Sequence, residues 1–413
     1  MKMERAKHNS LWLYYFLLAA ICIPSNEKYP TLLKYALNGL LVISVFVSIL
    51  LLYNKRYFLR KLLVPLYSFF AWILMCSVFN STGVLSTLKY IAPLICASSI
   101  SIYVLEEHRE KAYDVIAWIF AVLLIIQAFS LFTHFFGIYY SQGQIVNYYF
   151  FGIRVNINKI FPFAVYFAFM SYKYGVNRKP YCLIITLVCG LYFSIVEKVS
   201  TSIVGFAIGI MVFLATALIH NKHFWRYMAI IFLVVCVAFV FAYSERKGML
   251  DWLFTGLLGE SSTMSGRTLI WEQALSNIHG VHWLIGNGYG HDIYFYLGQH
   301  WAAHATHNQY LGIIFNYGIV GLLIYAKMCI IQIRTNKANM AENYSRIFMA
   351  TFLAILFMQI PASLYERTYY YIFYVVSVYS PTLIRANNEN KTKNNNKQVL
   401  TITQSKMKGL RNI

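Results

Sequence analysis

Charge is what this sequence has least of. Only 12% of its 413 residues are Asp, Glu, Lys or Arg, about half the share usual in soluble domains. With 59% of residues hydrophobic and a mean hydropathy of +0.54, a soluble core is excluded. Acidic residues are the scarcer kind, 15 against 35 basic, for a net charge of +20. In a soluble chain that excess would suggest a nucleic-acid partner. Here the basic residues cluster in short connectors between apolar runs, the signature of membrane topology, and no nucleic-acid role follows. Among the cysteines, CxxC pairs and metal-ligand spacings are also missing. The seven cysteines fall in or at the ends of apolar runs, which excludes a disulfide framework or zinc site and leaves apolar packing. No small-x-small cleavage site follows the first apolar run, so that run reads as an uncleaved span.

What is present is a series of apolar stretches near 10–24, 32–52, 62–80, 88–105, 114–136, 159–172, 181–196, 202–219, 228–244, 308–329, 345–364 and 368–384. Hydrocarbon leaves backbone groups no partner outside their own segment, so these stretches predict helices. The fold class expected is all-α: a polytopic integral membrane protein of about 12 transmembrane helices. Alternating the spans puts N-K-R-Y-F-L-R-K, E-E-H-R-E-K, K-Y-G-V-N-R-K-P, H-N-K-H-F-W-R and the 330–346 stretch on the side of both termini, the cytoplasm. Residues 1–386 form the membrane domain. Residues 387–413 read as a disordered basic cytoplasmic tail.

The outer side then holds 137–158, a tight turn at Glu197 and Lys198, and one large loop at about 245–307. A connection that long is functional or disordered, and this one is too rich in Trp, Leu, Ile and Tyr for disorder. Short helices lying on the outer face are expected. T-M-S-G-R-T-L-I-W-E-Q-A-L-S-N-I (263–278) predicts a helix capped at Thr263 or Ser265, with an apolar face of Leu269, Ile270, Ala274, Leu275 and Ile278. Arg267 would sit in its first turn, where a cation opposes the helix dipole. That placement suits an arginine facing a bound anion, or one reaching to lipid headgroups. L-I-G-N-G-Y-G-H-D (284–292) lacks the strand–turn–helix unit of a nucleotide site and reads as a turn. In H-W-A-A-H-A-T-H-N-Q-Y-L-G, His300, His304 and His307 are spaced i, i+4, i+7 and would share a helix face. They can be read as metal ligands, as a neutral base, or as an interfacial helix cap.

Three strings in this order, S-G-R-T-L-I-W (265–271), L-I-G-N-G-Y-G (284–290) and H-A-T-H-N-Q-Y-L-G-I-I-F-N-Y-G-I-V-G-L-L (304–323), resemble the membrane family of O-antigen ligases and Wzy-type O-antigen and exopolysaccharide polymerases. The likeness covers about 160–323 and leans toward the polymerases. It implies a periplasmic loop in a bacterial inner (cytoplasmic) membrane protein. The activity implied is metal-independent, inverting transfer of an undecaprenyl-diphosphate-linked glycan, with no cofactor. His307 is implied as the catalytic base. Arg267, Arg154, Lys198, Asn308 and His304 are implied to bind donor and diphosphate. The family's second arginine follows a serine at a central span; here Ser200 and Thr201 stand there, Lys198 is the nearest cation, and Arg154 could supply the charge. A lysine cannot reproduce a bidentate guanidinium fork. Implied partners are the lipid-linked donor and acceptor, the bilayer and a chain-length regulator. A ligase acting on lipid A–core and a transporter of the same lipid are the alternative readings. A transporter should carry ionisable groups at mid-membrane, whereas charge here lies at the outer ends of spans.

Overall fold

The protein, seen in a computed structural model, is described for residues 2–23, 29–133, 138–141, 144–150, 152–153, 159–197, 200–245, 267–296, 302–303, 305–336 and 342–385. The tail 387–413, much of the large loop, and Arg154, Lys198, His300 and His304 lie outside the described residues.

Helices occupy the predicted apolar stretches: α1 (Lys2–Cys22), α2 (Thr31–Lys55), α3 (Val64–Phe79), α4 (Val84–Thr133), α5 (Phe161–Tyr174), α6 (Tyr181–Glu197), α7 (Ser200–Leu218) and α8 (Lys222–Glu245). Beyond the loop come α9 (Arg267–Ser276), α10 (His282–Ile285), α11 (Gln309–Thr335), α12 (Asn343–Met358) and α13 (368–385). Among the described residues, four of these are long and apolar enough to cross a membrane, and five shorter helices are apolar. The chain is an all-α, multi-pass membrane protein. Small strands decorate it: β1 (Ile138–Ser141), β2 (Gln144–Tyr149) and β3 (Gly152–Ile153) form an antiparallel meander, and β4 (Phe295–Tyr296) pairs with β5 (Ala302–Ala303).

As one straight rod, α4 would be about 75 Å long, more than twice the hydrocarbon thickness. It is broken at His108 (φ −147°, ψ 66°), inside the charged E-E-H-R-E-K connector. The first half runs from Thr87, bonded to Ser77, to Glu106, paired with Arg60. The second half returns from Asp114, which receives Ser171 Oγ, to Ser130, which receives the Phe150 N–H.

The bundle thus has two distinct ends. One gathers the basic connectors: Lys55 with Glu107, Arg109 on the Leu383 carbonyl, Arg385 on Tyr344. The other joins Tyr29 to the Phe150 carbonyl, Thr368 to the Ile21 carbonyl, and stacks Tyr90 on Tyr289. The outward face of α2 exposes Leu32, Tyr35, Phe46, Leu50 and Tyr53, a surface suited to lipid. Inside, polar groups find each other: Tyr370 bonds Tyr325, which bonds Gln359, and Gln332 bonds Ser377. Without such partners, buried polar groups would be costly in an apolar interior.

Helix α11 is itself interrupted at Gly318 (φ 67°, ψ −173°). The break frees carbonyls, and all three nearest it are taken up. Phe315 O receives Asn287 N–H (2.8 Å), Asn316 O receives Gly288 N–H (2.9 Å), and Tyr317 O receives Trp72 Nε1–H (2.8 Å). The L-I-G-N-G-Y-G turn is the plug that closes this gap. Its backbone comes so near that a Cβ on Gly286 would strike Asn316 and Tyr317, and one on Gly318 would strike the Leu284 carbonyl.

Candidate functional site

At the end remote from the basic connectors, the start of α11 presents Thr306, His307, Asn308 and Gln309. Three of these four side chains are spent on scaffolding. Asn308 is fully buried and caps the helix, its Oδ1 receiving Leu311 N–H at 2.9 Å. Its Nδ2 donates to the Ile360 carbonyl at 2.6 Å. Thr306 Oγ1 donates to the Asn308 carbonyl at 2.9 Å. Gln309 Oε1 receives the N–H groups of Leu364 and Tyr365 at 2.9 and 3.0 Å, and its own N–H bonds the Gln359 carbonyl. These contacts fasten the turn after α12 to the start of α11.

His307 stands apart from that lattice. It takes a left-handed conformation (φ 50°), uncommon for a non-glycine residue and held only where the surroundings enforce it. The residues on either side are pinned, while His307 itself stays solvent-accessible. Protein still walls off part of its water. That burial, with the positive charges of Arg267 and Lys159, lowers its pKa from 6.5 to about 4. At neutral pH the imidazole is therefore uncharged and able to accept a proton.

Arg267 arrives from α9, of which it is the first residue. Four positions on, fully buried Trp271 donates Nε1–H to the Thr306 carbonyl at 3.1 Å. That bond sets α9 against the His307 turn and brings Arg267 into electrostatic reach. The buried residues of α9 are Thr268, Ile270, Trp271 and Ala274, with Ile278 buried just beyond it; Leu269 is exposed, so the face lies one position round from the predicted one. Lys159, just ahead of α5, has its pKa lowered to about 7 by burial first and then by Arg367, with Arg267 adding to the effect and Glu366 opposing it. Lys159, Arg267, Arg367, Glu366 and His307 thus share one electrostatic field.

One expectation needs correction: Asn308, fully buried and bonded at both ends of its amide, is spent on positioning the turn. His300 and His304 lie outside the described residues; of their described neighbours, Ala302–Ala303 is extended and 305–308 is non-helical. Lys159 and Arg367 were not singled out from the sequence. Both carried a signal: each is a cation at the edge of an apolar stretch, in I-N-K-I and Y-E-R-T.

Below this cluster, α5, α6, α7 and α12 enclose an apolar groove of about 490 Å³. Its walls reach from Phe161 and Met358, close in sequence to Lys159 and Gln359, to Phe213 and Ile347 at the far end. A groove with so apolar a lining is complementary to a hydrocarbon chain.

Residues 183–326 match the family model described as O-antigen ligase. No curated protein and no solved structure matches the chain.

Proposed function

Starting from a chain whose residues 183–326 match the family model described as O-antigen ligase, we propose that it polymerises undecaprenyl-diphosphate-linked oligosaccharide units at the periplasmic face. This reading takes each half of α4 as one crossing and α11 as one, with α9 and α10 outside the membrane, for twelve crossings among the described residues. The basic connectors then face the cytoplasm with both termini, and His307 faces the periplasm.

The observation that carries the reading is the neutral His307 ring, held in a strained turn within the field of Arg267 and Lys159. In the reaction, an acceptor hydroxyl oxygen bonds to the anomeric carbon of the donor sugar. The bond from that carbon to the diphosphate oxygen breaks, its electron pair leaving with undecaprenyl diphosphate. The hydroxyl proton passes to the free ring nitrogen of His307. Arg267, with Lys159 and Arg367, stabilises the charge growing on the departing diphosphate. Arg367 supplies a second guanidinium for the role the resemblance gave to Lys198 or Arg154. One direct displacement inverts the anomeric centre. The apolar groove takes the polyprenyl chain.

The interrupted α11 is a feature that transporters use to hold ions with unwound carbonyls. Here the three carbonyls at the break are occupied by Asn287, Gly288 and Trp72, which favours the enzyme. His307→Ala should reduce polysaccharide extension by about 100- to 10,000-fold while leaving protein levels in the membrane unchanged. Unaltered glycan length in that variant would remove the base assignment. Deleting the gene distinguishes the acceptors: loss of a polymerase leaves lipid A–core with a single repeat unit, and loss of a ligase leaves it bare.

A further inference from the structure

A second cavity lies at the end of the bundle where Thr368 meets the Ile21 carbonyl. It holds about 840 Å³ and lies between α1, α2, the first half of α4 and the start of α13. Its lining divides by chemistry. Lys34, Lys89 and Arg367 supply three cations against one carboxylate, Glu366. Ile21, Leu37, Leu41, Pro93 and Leu94 supply an apolar floor. Lys34, Leu37, Asn38 and Leu41 are spaced i, i+3, i+4, i+7, so α2 turns one mixed stripe into the cavity while its other side faces lipid. Tyr90 and Tyr289 stack at 4.3 Å between ring centroids, 10° from parallel, and form an aromatic wall.

We propose that this cavity is a docking site for a second polyprenyl-linked phosphate, the acceptor strand's lipid carrier, distinct from the donor site at Arg267. This deepens the function proposed above and rests on it. The net positive charge of the lining complements a phosphate, and its apolar residues complement a hydrocarbon tail. Arg367 lies in both places: it lines this cavity and acts on Lys159 of the donor cluster. Transfer between two membrane-anchored chains needs both carriers held at once, with their sugars converging on one base. A cavity that shares Arg367 with the donor cluster does this. The stacked tyrosines offer the flat surface on which a sugar ring can lie.

The test is native mass spectrometry of the intact protein in lipid nanodiscs, with undecaprenyl monophosphate as probe and phosphatidylglycerol as a generic anionic lipid. The wild type should retain two probe molecules and prefer them to phosphatidylglycerol. Lys34→Glu with Lys89→Glu should retain one, and Lys159→Glu with Arg267→Glu should retain the other. A photoreactive polyprenyl phosphate should label the α1–α2 cavity in the second double variant and lose that label in the first. Two molecules retained after Lys34 and Lys89 are changed would overturn the proposal, as would equal displacement by phosphatidylglycerol. Retention of a single molecule, lost only when Lys159 and Arg267 change, would overturn the second site and leave the proposed function standing. Insensitivity to Lys159 and Arg267 would instead strike the donor site.

Discussion

Changing Asn308 separates a residue that touches substrate from one that shapes the site. Its amide holds two bonds, Oδ1 from Leu311 N–H at 2.9 Å and Nδ2 to the Ile360 carbonyl at 2.6 Å, and none of its surface is exposed. Asn308→Ser keeps a capping oxygen and abandons the Ile360 carbonyl, a buried acceptor whose loss costs about 1–3 kcal/mol. Asn308→Ala removes the cap as well, adding about 1 kcal/mol, for a total of about 2–4 kcal/mol. The thermal unfolding midpoint of full-length protein in nanodiscs should therefore fall in the order wild type, Ser, Ala. Polysaccharide length, assayed at a temperature where each variant is folded, should fall in the same order. His307 loses its enforced left-handed turn as its neighbours loosen, so activity declines by degrees. An Asn308→Ala protein with the wild-type midpoint and no polymer would refute this and return Asn308 to the substrate.

Further outcomes follow from the same geometry. The acid limb of kcat/KM, which reports the donor-free enzyme, should lie near pH 4, where burial and the Arg267 and Lys159 charges hold His307. The limb of kcat should lie higher, because a bound diphosphate offsets those charges and raises the imidazole pKa; pH–rate profiles of the purified enzyme that show coincident limbs would contradict the shared field. Arg267→Lys keeps the charge but loses the planar fork, and should cost about 10- to 100-fold in kcat/KM, the worth of one charge-assisted hydrogen bond; wild-type kinetics would mean the arginine acts only as a point charge. Gly318→Ala places a Cβ against the Leu284 carbonyl at a positive φ, and should sharply lower the amount of folded protein recovered, a loss that Leu323→Ala on the exposed side of the same helix should not share.

Much of the architecture was legible because its causes are local. An apolar run that must satisfy its own backbone in hydrocarbon becomes a helix wherever it occurs, and α2, α3 and α5–α8 fall on the predicted stretches. Arg267 and His307 stood out for the same reason. Each breaks a local pattern, one by placing a cation at a helix start, the other by placing a titratable ring at the end of an apolar segment.

Tertiary structure decided the rest, because the remaining features depend on residues far apart in the chain. The strands of 138–153 have no strong alternation to announce them, and their pairing is set by neighbours. The interruption of α11 is sustained by Trp72 and by Asn287 and Gly288, none of which signals it from its own sequence. Lys159 and Arg367 joined Arg267 only once α5, α9 and the turn before α13 were packed together. Asn308, read alone, resembled a substrate contact; the buried Ile360 carbonyl, 52 positions away, made it a brace. By itself the sequence determined where helices form and which charged residues break the apolar pattern, because hydrophobicity and charge act residue by residue. Which cations surround the base, and which polar groups are spent on holding it, was decided by folding, because electrostatic fields and buried hydrogen bonds depend on distance in space.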